Sequence, residues 1–308
     1  RNGEKGASDV WPCVLASVMQ YDGDEGLETL GGDDALCALL PSDLEASIAL
    51  LFSQCPLVAR LCSGRLPVCT LSQLYALLTD RTDADRGIDK MKADGRLRVV
   101  PLGWRGAELM VARASDCSVA LKAALDEAEP RHEARALRAA IALLESAAGS
   151  AVRVDELART QCEGSRDAAT LERIGADLVS LGWFARRQLG VAGGPGEAPS
   201  EDGQQWWWSF PRCGALVNAL LQARRQVLLA LQRARFGRAP LSLVEQSLKA
   251  TLRSTGLDLR YVLRDMQGRG MVVVEEEGMR TTALRLTPLG VEAARAACAS
   301  RGRKRTLE

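Results

Sequence analysis

The sequence predicts a mostly helical α+β chain with short β-hairpins, in which helix, short helix, helix and hairpin recur three times at unequal spacing. Three stretches predict it. Leu66–Gly103 reads as helix, tight turn, helix and strand. Ala134–Phe210 repeats that order, and Cys213–Leu286 repeats it again with the hairpin turning at Glu277-Gly278.

In the first stretch Leu71, Leu74, Tyr75 and Leu78 fall at the three–four spacing that lays an apolar stripe along one helix face. Thr79 and Thr82 carry hydroxyls with capping chemistry, and Asp83 follows where a first helical turn favours a carboxylate. A second helix runs from about Asp83 to Asp94, with Ile88 and Met91 inward and Arg81, Arg86, Lys90 and Lys92 elsewhere. Gly95 suits a left-handed stop, Leu97, Val99 and Leu102 begin a strand, and Glu108–Arg113 is its return. Ahead of these, Ser42 suits the cap of a helix bearing Leu44, Ile48, Leu51 and Phe52. A helix-turn-helix with an appended hairpin is a winged helix, a module that commonly lays its second helix in a DNA major groove. Residues 42–115 form the first such unit.

The second unit covers residues 116–211. It holds a strongly helical stretch at Ala134–Ala147, a short helix around Val154, Leu157 and Ala158, and a third helix capped by Ser165. That third helix carries Leu171, Ile174, Leu178 and Val179 and stops at Gly182. Trp183–Leu189 and Trp206–Phe210 make the wing, around a Gly-, Pro- and acid-containing insert at 190–205 whose composition predicts mobility. In Trp206–Trp208, alternate residues face opposite sides of a strand, which favours core packing over a base-stacking platform. The third unit, 212–296, has a long helix from Cys213 to about Phe236, a second at Leu241–Leu248, a third at Leu257–Gln267, and strands at Met271–Glu275 and Thr282–Leu286. Residues 1–41 stay unassigned, with short apolar stretches at Trp11–Met19 and Ala35–Leu40, and 297–308 is a basic tail.

Nine cysteines without a Cys-x-x-Cys pair, beside a single histidine, His132, disfavour structural zinc and fit reduced thiols in cytosol or nucleus. No apolar run is long enough to span a bilayer, so no membrane partner is expected, and no targeting signal is visible although the chain opens on Arg1. The net charge of +1 conceals polarity: residues 1–45 carry −8, while residues 212–270 hold eleven Arg or Lys against Glu245, Asp258 and Asp265, a balance of +8. Nucleic-acid binding follows local potential rather than the total.

The candidate DNA contacts are cations of the third unit. Arg224, Arg225, Arg233 and Arg235 lie along one broad side of the long helix, with Arg238 beyond it. Lys249, Arg253, Arg260 and Arg264 extend the excess, the last two one turn apart on the candidate recognition helix. Arg81 and Arg86 join them from the first unit, either as phosphate contacts or as partners of Asp80 and Asp85. Few Asn or Gln accompany these cations, so sequence-tolerant, salt-sensitive phosphate binding to double-stranded DNA is expected. Protein kinase chemistry is disfavoured, since His132 precedes Glu133 and Ala134 rather than Arg-Asp, and no Asp-Phe-Gly exists. No catalytic residue and no cofactor is expected. A scaffold of winged helices that binds only proteins is the competing reading, and a serine/threonine kinase the remote one.

With these residues in place the chain resembles the serine/threonine-protein kinase 19 family of tandem winged-helix proteins. The resemblance is strongest at Leu77–Gly103, with the DRTxADR core at Asp80–Arg86 and the strand LRVVPLG. It extends through Trp206–Phe236, where paired tryptophans and a proline precede a basic helix ending ARF, and more weakly through Gly256–Leu286. It implies three winged helices, nuclear location and duplex-DNA binding. It also implies an adaptor role in transcription-coupled nucleotide-excision repair, among stalled RNA polymerase II, its repair factors and the helicase-bearing general transcription factor. Whether two copies pair on DNA stays open. A lysine of the family's third unit stands here as Asn218, and Lys249 and Arg253 are the nearest candidates for its arginine pair.

Overall fold

The computed structural model describes residues 42–102, 108–128, 131–146, 151–153, 157, 168–186, 205–277 and 281–305. Helix α1 (Asp43–Ser53) buries Leu44, Ile48, Leu51 and Phe52, the stripe its spacing predicts. The chain then forms strand β1 (Cys69–Thr70) and the short helix α2 (Leu71–Tyr75). Thr70 caps α2 by accepting from the Gln73 backbone N–H, while the Gln73 side chain accepts from the Thr70 N–H, a reciprocal capping box. Helix α3 (Arg81–Ala93) begins earlier than expected, because Asp80, rather than Thr79 or Thr82, is the cap. Its carboxylate accepts from the N–H groups of Thr82 at 2.7 Å and Asp83 at 3.3 Å. A carboxylate at a helix N-terminus satisfies orphan donors and complements the dipole as well, which favours Asp over Thr. Asp80→Ala is expected to lower stability by about 1 kcal/mol, measured as a shift in the urea midpoint. An unshifted midpoint would remove the cap from the account.

Gly95, at φ +70°, ends α3 and hands the chain to β2 (Leu97–Leu102), whose return is β3 (Glu108–Arg113). The first sheet has the order β1-β3-β2, all antiparallel. That arrangement recurs twice. Strands β4 (Ala151–Arg153), β5 (Phe184–Arg186) and β6 (Gln205–Trp208) pair in the order β4-β6-β5. Strands β7 (Arg238–Pro240), β8 (Val272–Glu277) and β9 (Thr281–Leu286) pair as β7-β9-β8. In each sheet the last strand lies in the middle, between its hairpin partner and a short strand from earlier in the chain.

Between the first and second sheets stand α4 (Ala114–Glu127) and α5 (Arg131–Ser146); α6 (Ala168–Ser180) leads into β5. Helix α4 is not among the elements expected from sequence, although Cys117, Ala120 and Leu121 carry its buried face at helical spacing. The expected short helix at Val154 to Ala158 has only Leu157 among the described residues, where it is helical and buried. The Ser165 cap, the insert at 190–204 and the stretches Trp11–Met19 and Ala35–Leu40 lie outside the described residues, and Gln205 already belongs to β6.

Around the third sheet stand α7 (Cys213–Arg233), α8 (Leu241–Thr255) and α9 (Leu259–Gly268), with α10 (Pro288–Arg305) packed back on α7. Helix α7 stops at Arg233, three residues before the expected end, where Ala234 turns extended. The residues read as a basic tail from 297 continue helix α10 as far as Arg305. The Arg225 guanidinium donates to the Ala297 carbonyl at 3.1 Å, tying α7 to α10.

One continuous apolar core runs from Cys55 to Ala294, through α4, α5, α6 and α7, with a smaller cluster under α1. Trp206 and Trp208 are buried in it and Trp207 is half-buried, so the alternation is a packing pattern. Phe184 meets Trp208 edge-on at 5.1 Å between centroids. Gly175 is required beside Trp206, because a Cβ there would lie 2.2 Å from the indole.

Candidate nucleic-acid interface

The basic residues of the third unit separate into two kinds. Helix α7 buries Leu216, Val217, Leu220, Ala223, Val227, Leu228 and Leu231, and Arg224 falls on that same side, four residues after Leu220 and three before Val227. Its side chain is 6% exposed. Arg224 therefore does not lie on the exposed basic side where the sequence reading places it. Its Nε donates to Asp265 at 2.6 Å, and its two terminal nitrogens donate to the Glu108 carboxylate at 2.6 and 3.0 Å. Burial opposes the Arg224 charge, but the Glu108 hydrogen bonds and the field of Asp265 outweigh it and raise the pKa. Arg269 closes the cluster with an ion pair to Glu108 and a longer one, 3.4 Å, to Asp265. The fully buried Asp265 carboxylate also accepts from the Thr70 hydroxyl at 2.8 Å. Two arginines thus meet two carboxylates drawn from β3, α7, α9 and the turn after it, uniting the first and third repeats.

Arg225 is also largely used internally, through the Ala297 carbonyl. Arg238 is exposed but pairs with Glu275 at 3.0 Å, across the strand from Arg285, which pairs with the same carboxylate at 2.5 Å. Arg285, then Arg238, hold the Glu275 carboxyl below the usual carboxylate range. Arg81 lies over the Tyr75 ring at 5.3 Å and donates to the Gly268 carbonyl at 2.8 Å, a contact between repeats. Arg86 pairs with Asp83 at 3.2 Å on the open face of α3. Of the two readings left open for these arginines, pairing with Asp80 and Asp85 gives way to these contacts.

What stays outward is a smaller set. Arg233, Lys249, Arg253 and Arg260 are exposed and Arg264 half-buried, and none is ion-paired among the described residues. Arg235 is exposed, its guanidinium stacked over Phe236 at 4.9 Å. Lys249 and Arg253 stand four residues apart on α8, and Arg260 and Arg264 four apart on α9, so each helix presents a like-charge pair. Such pairs repel. Burial, and then Arg260, push the Arg264 guanidinium below its usual pKa. Asn218 is exposed on α7.

Sequence reasoning missed Glu108, Asp265 and Arg269, which the structure draws into the buried cluster, and Phe236, which is 85% exposed. Only the position of Arg224 within the apolar period of α7 signalled the cluster. No group of carboxylates, histidines and thiols among the described residues is arranged to hold a metal ion. The described thiols are free; burial pushes Cys62 up to about 12 and raises Cys69 and Cys117 as well, which leaves them poor nucleophiles.

Helices set on small antiparallel sheets, with cations exposed among the described residues, define an α+β protein of the winged-helix class. Residues 40–282 match the family described as inactive serine-threonine protein kinase 19, and the chain belongs to that family. It is similar to winged helix repair factor 1 of Homo sapiens, 24% identical over 208 residues, which cover 67% of this chain and 71% of the human protein. The Mus musculus protein of the same name is 24% identical over 207 residues, with the same coverage of each chain. The family's description as inactive agrees with the missing kinase motifs, so the protein is not an enzyme of that type.

Proposed function

We propose that this chain is a non-catalytic DNA-repair adaptor of three tandem winged helices, and that its third unit holds duplex DNA by the phosphate backbone. The observation that carries this is the pair of like-charge couples on successive helices, Lys249 with Arg253 and Arg260 with Arg264, none of them ion-paired among the described residues. Folding gains nothing from holding such charges together, whereas a polyanion relieves their repulsion and releases its own counterions. Arg233 and Arg235, at the end of α7, extend the cationic surface, and Arg86, paired with the exposed Asp83, and Arg238, which shares the half-buried Glu275 with Arg285, can turn to phosphate. Arg224 is excluded from this surface by its burial.

The relatives' name supports a place in repair, and the family resemblance supports transcription-coupled nucleotide-excision repair in the nucleus. In this reading RNA polymerase II-associated repair factors and the helicase-bearing general transcription factor are protein partners. The buried cluster between the first and third repeats would let DNA held by one fix the orientation of the other.

Fluorescence anisotropy with a short labelled duplex across a salt series tests the reading. Binding is expected to weaken steeply with salt, and Arg233→Glu with Arg235→Glu to weaken it by about tenfold or more, with the salt slope reduced by roughly 0.9 for each phosphate no longer neutralised. Both side chains are exposed, so the far-ultraviolet circular dichroism should not change. Unchanged affinity in the folded double variant would move DNA off α7. No duplex binding at low salt would leave the protein-scaffold reading in its place.

A further inference from the structure

We propose that Phe236 is an aromatic wedge pressed against a nucleobase, giving the third unit a preference for duplex DNA with an unpaired or unstacked step over intact duplex. This rests on the reading that the unit holds DNA. Helix α7 ends at Arg233, Ala234 turns extended, and the next residues make a tight turn before β7. Phe236 sits in that turn at φ 59°, ψ 21°, in the left-handed region that L side chains, bulky ones above all, rarely adopt. Gly237 follows at φ +65°, and a Cβ there would touch Leu286 at 3.5 Å. The turn is therefore seated on the sheet through its glycine while the phenyl ring stands out, 85% exposed.

Nothing among the described residues explains this arrangement. A glycine at 236 would remove the backbone strain, and a polar residue would remove the exposed apolar surface. Strain held at an exposed aromatic is the kind of outlier from which a binding role is inferred. The surroundings indicate the partner. The Arg235 guanidinium covers one side of the ring at 4.9 Å, and Arg233 and Arg238 are exposed on either side of the turn. An apolar protein partner would have to bury these charges, whereas a nucleic acid presents phosphate to the guanidinium groups and a base face to the ring. Stacking on a base is sequence-tolerant because every base has a π-face. Wedging into an intact step must first unstack it, and that penalty is smallest where the step is already unpaired.

The test is anisotropy binding of the full chain to a matched duplex and to the same duplex carrying a short mismatched bubble. It is repeated for Phe236→Ala, Phe236→Gly and Phe236→Trp, with a fluorescent purine analogue placed in the bubble. The wild type is expected to bind the bubble about tenfold more tightly than the matched duplex, with the analogue's emission changing as the ring stacks. The alanine and glycine variants should bring the two affinities together and abolish the emission change, with an unaltered salt slope, since a phenyl ring neutralises no phosphate. Phe236→Trp should keep the preference. Phe236→Gly relieves the strained φ, so it should unfold no earlier than wild type, and its loss of preference would not reflect misfolding. A preference that survives in Phe236→Gly, or equal binding of both duplexes by the wild type, would overturn the wedge and leave the phosphate-holding reading intact. Absence of binding to either DNA by the wild type would overturn both.

Discussion

Arg224→Met is expected to destabilise the protein by about 3–5 kcal/mol, because it leaves buried carboxylates without their principal counter-charge. Glu108 and Asp265 are 6% and 0% exposed, and Arg224 makes three of the hydrogen bonds that hold them. Arg269 reaches both carboxylates but is only partly buried and meets Asp265 at 3.4 Å, so it cannot replace the lost geometry. Urea unfolding followed by circular dichroism measures the change. Adding Glu108→Leu should recover part of it, since an uncompensated buried charge is worse than an apolar side chain in its place. A single variant within about 1 kcal/mol of wild type would show that the cluster does not hold the first and third repeats together. Because Arg224 is buried, any loss of DNA affinity in this variant should track unfolding, unlike the loss at Arg233 and Arg235.

Gly268→Ala is the second large effect expected. A Cβ on Gly268 would lie 1.6 Å from the Ser72 carbonyl oxygen, 2.5 Å from its carbon and 3.2 Å from the Ala76 nitrogen. These are backbone atoms of α2 and the turn after it, so no side-chain rotation can make room, and α2 and α9 must move apart. Overpacking against flexible neighbours costs about 1–3 kcal/mol, and a clash with backbone should reach or exceed the top of that range. The interactions at risk are those joining the repeats: Arg81 to the Gly268 carbonyl, the Gln73 amide to the Tyr261 carbonyl at 2.8 Å, and the Tyr261 hydroxyl to the Val68 carbonyl at 3.1 Å. A lower thermal midpoint, with faster amide exchange on both α2 and α9, is the expected pair of readouts. A midpoint equal to wild type would mean that the helices do not approach this closely in solution.

Local elements were legible where local physics decides them. Three–four spacing placed Leu44, Ile48, Leu51 and Phe52 inward, Gly95 ended α3, and two-residue alternation buried Trp206 and Trp208. Errors fell where competing local options have similar energies. Asp80 won the cap over two threonines, and α2 closed after Tyr75, short of Leu78. The long helix stopped before Phe236 because the turn that carries that residue needs left-handed backbone, which a phenylalanine side chain does not advertise.

Legible along the chain alone were the recurrence of hairpins among helices, the family, the absence of kinase motifs and the concentration of positive charge in residues 212–270. Those follow from periodicity, motif and composition, which are properties of neighbours along the chain. Which of those charges face outward depends on packing between distant segments. Arg224 stands mid-helix on the apolar side of α7 and Arg233 at its last residue; what buries Arg224 is the arrival of Glu108 and Asp265, 116 and 41 residues away. A guanidinium can leave water only when carboxylates meet it in the right geometry, and that meeting is made by the packing of the first repeat on the third.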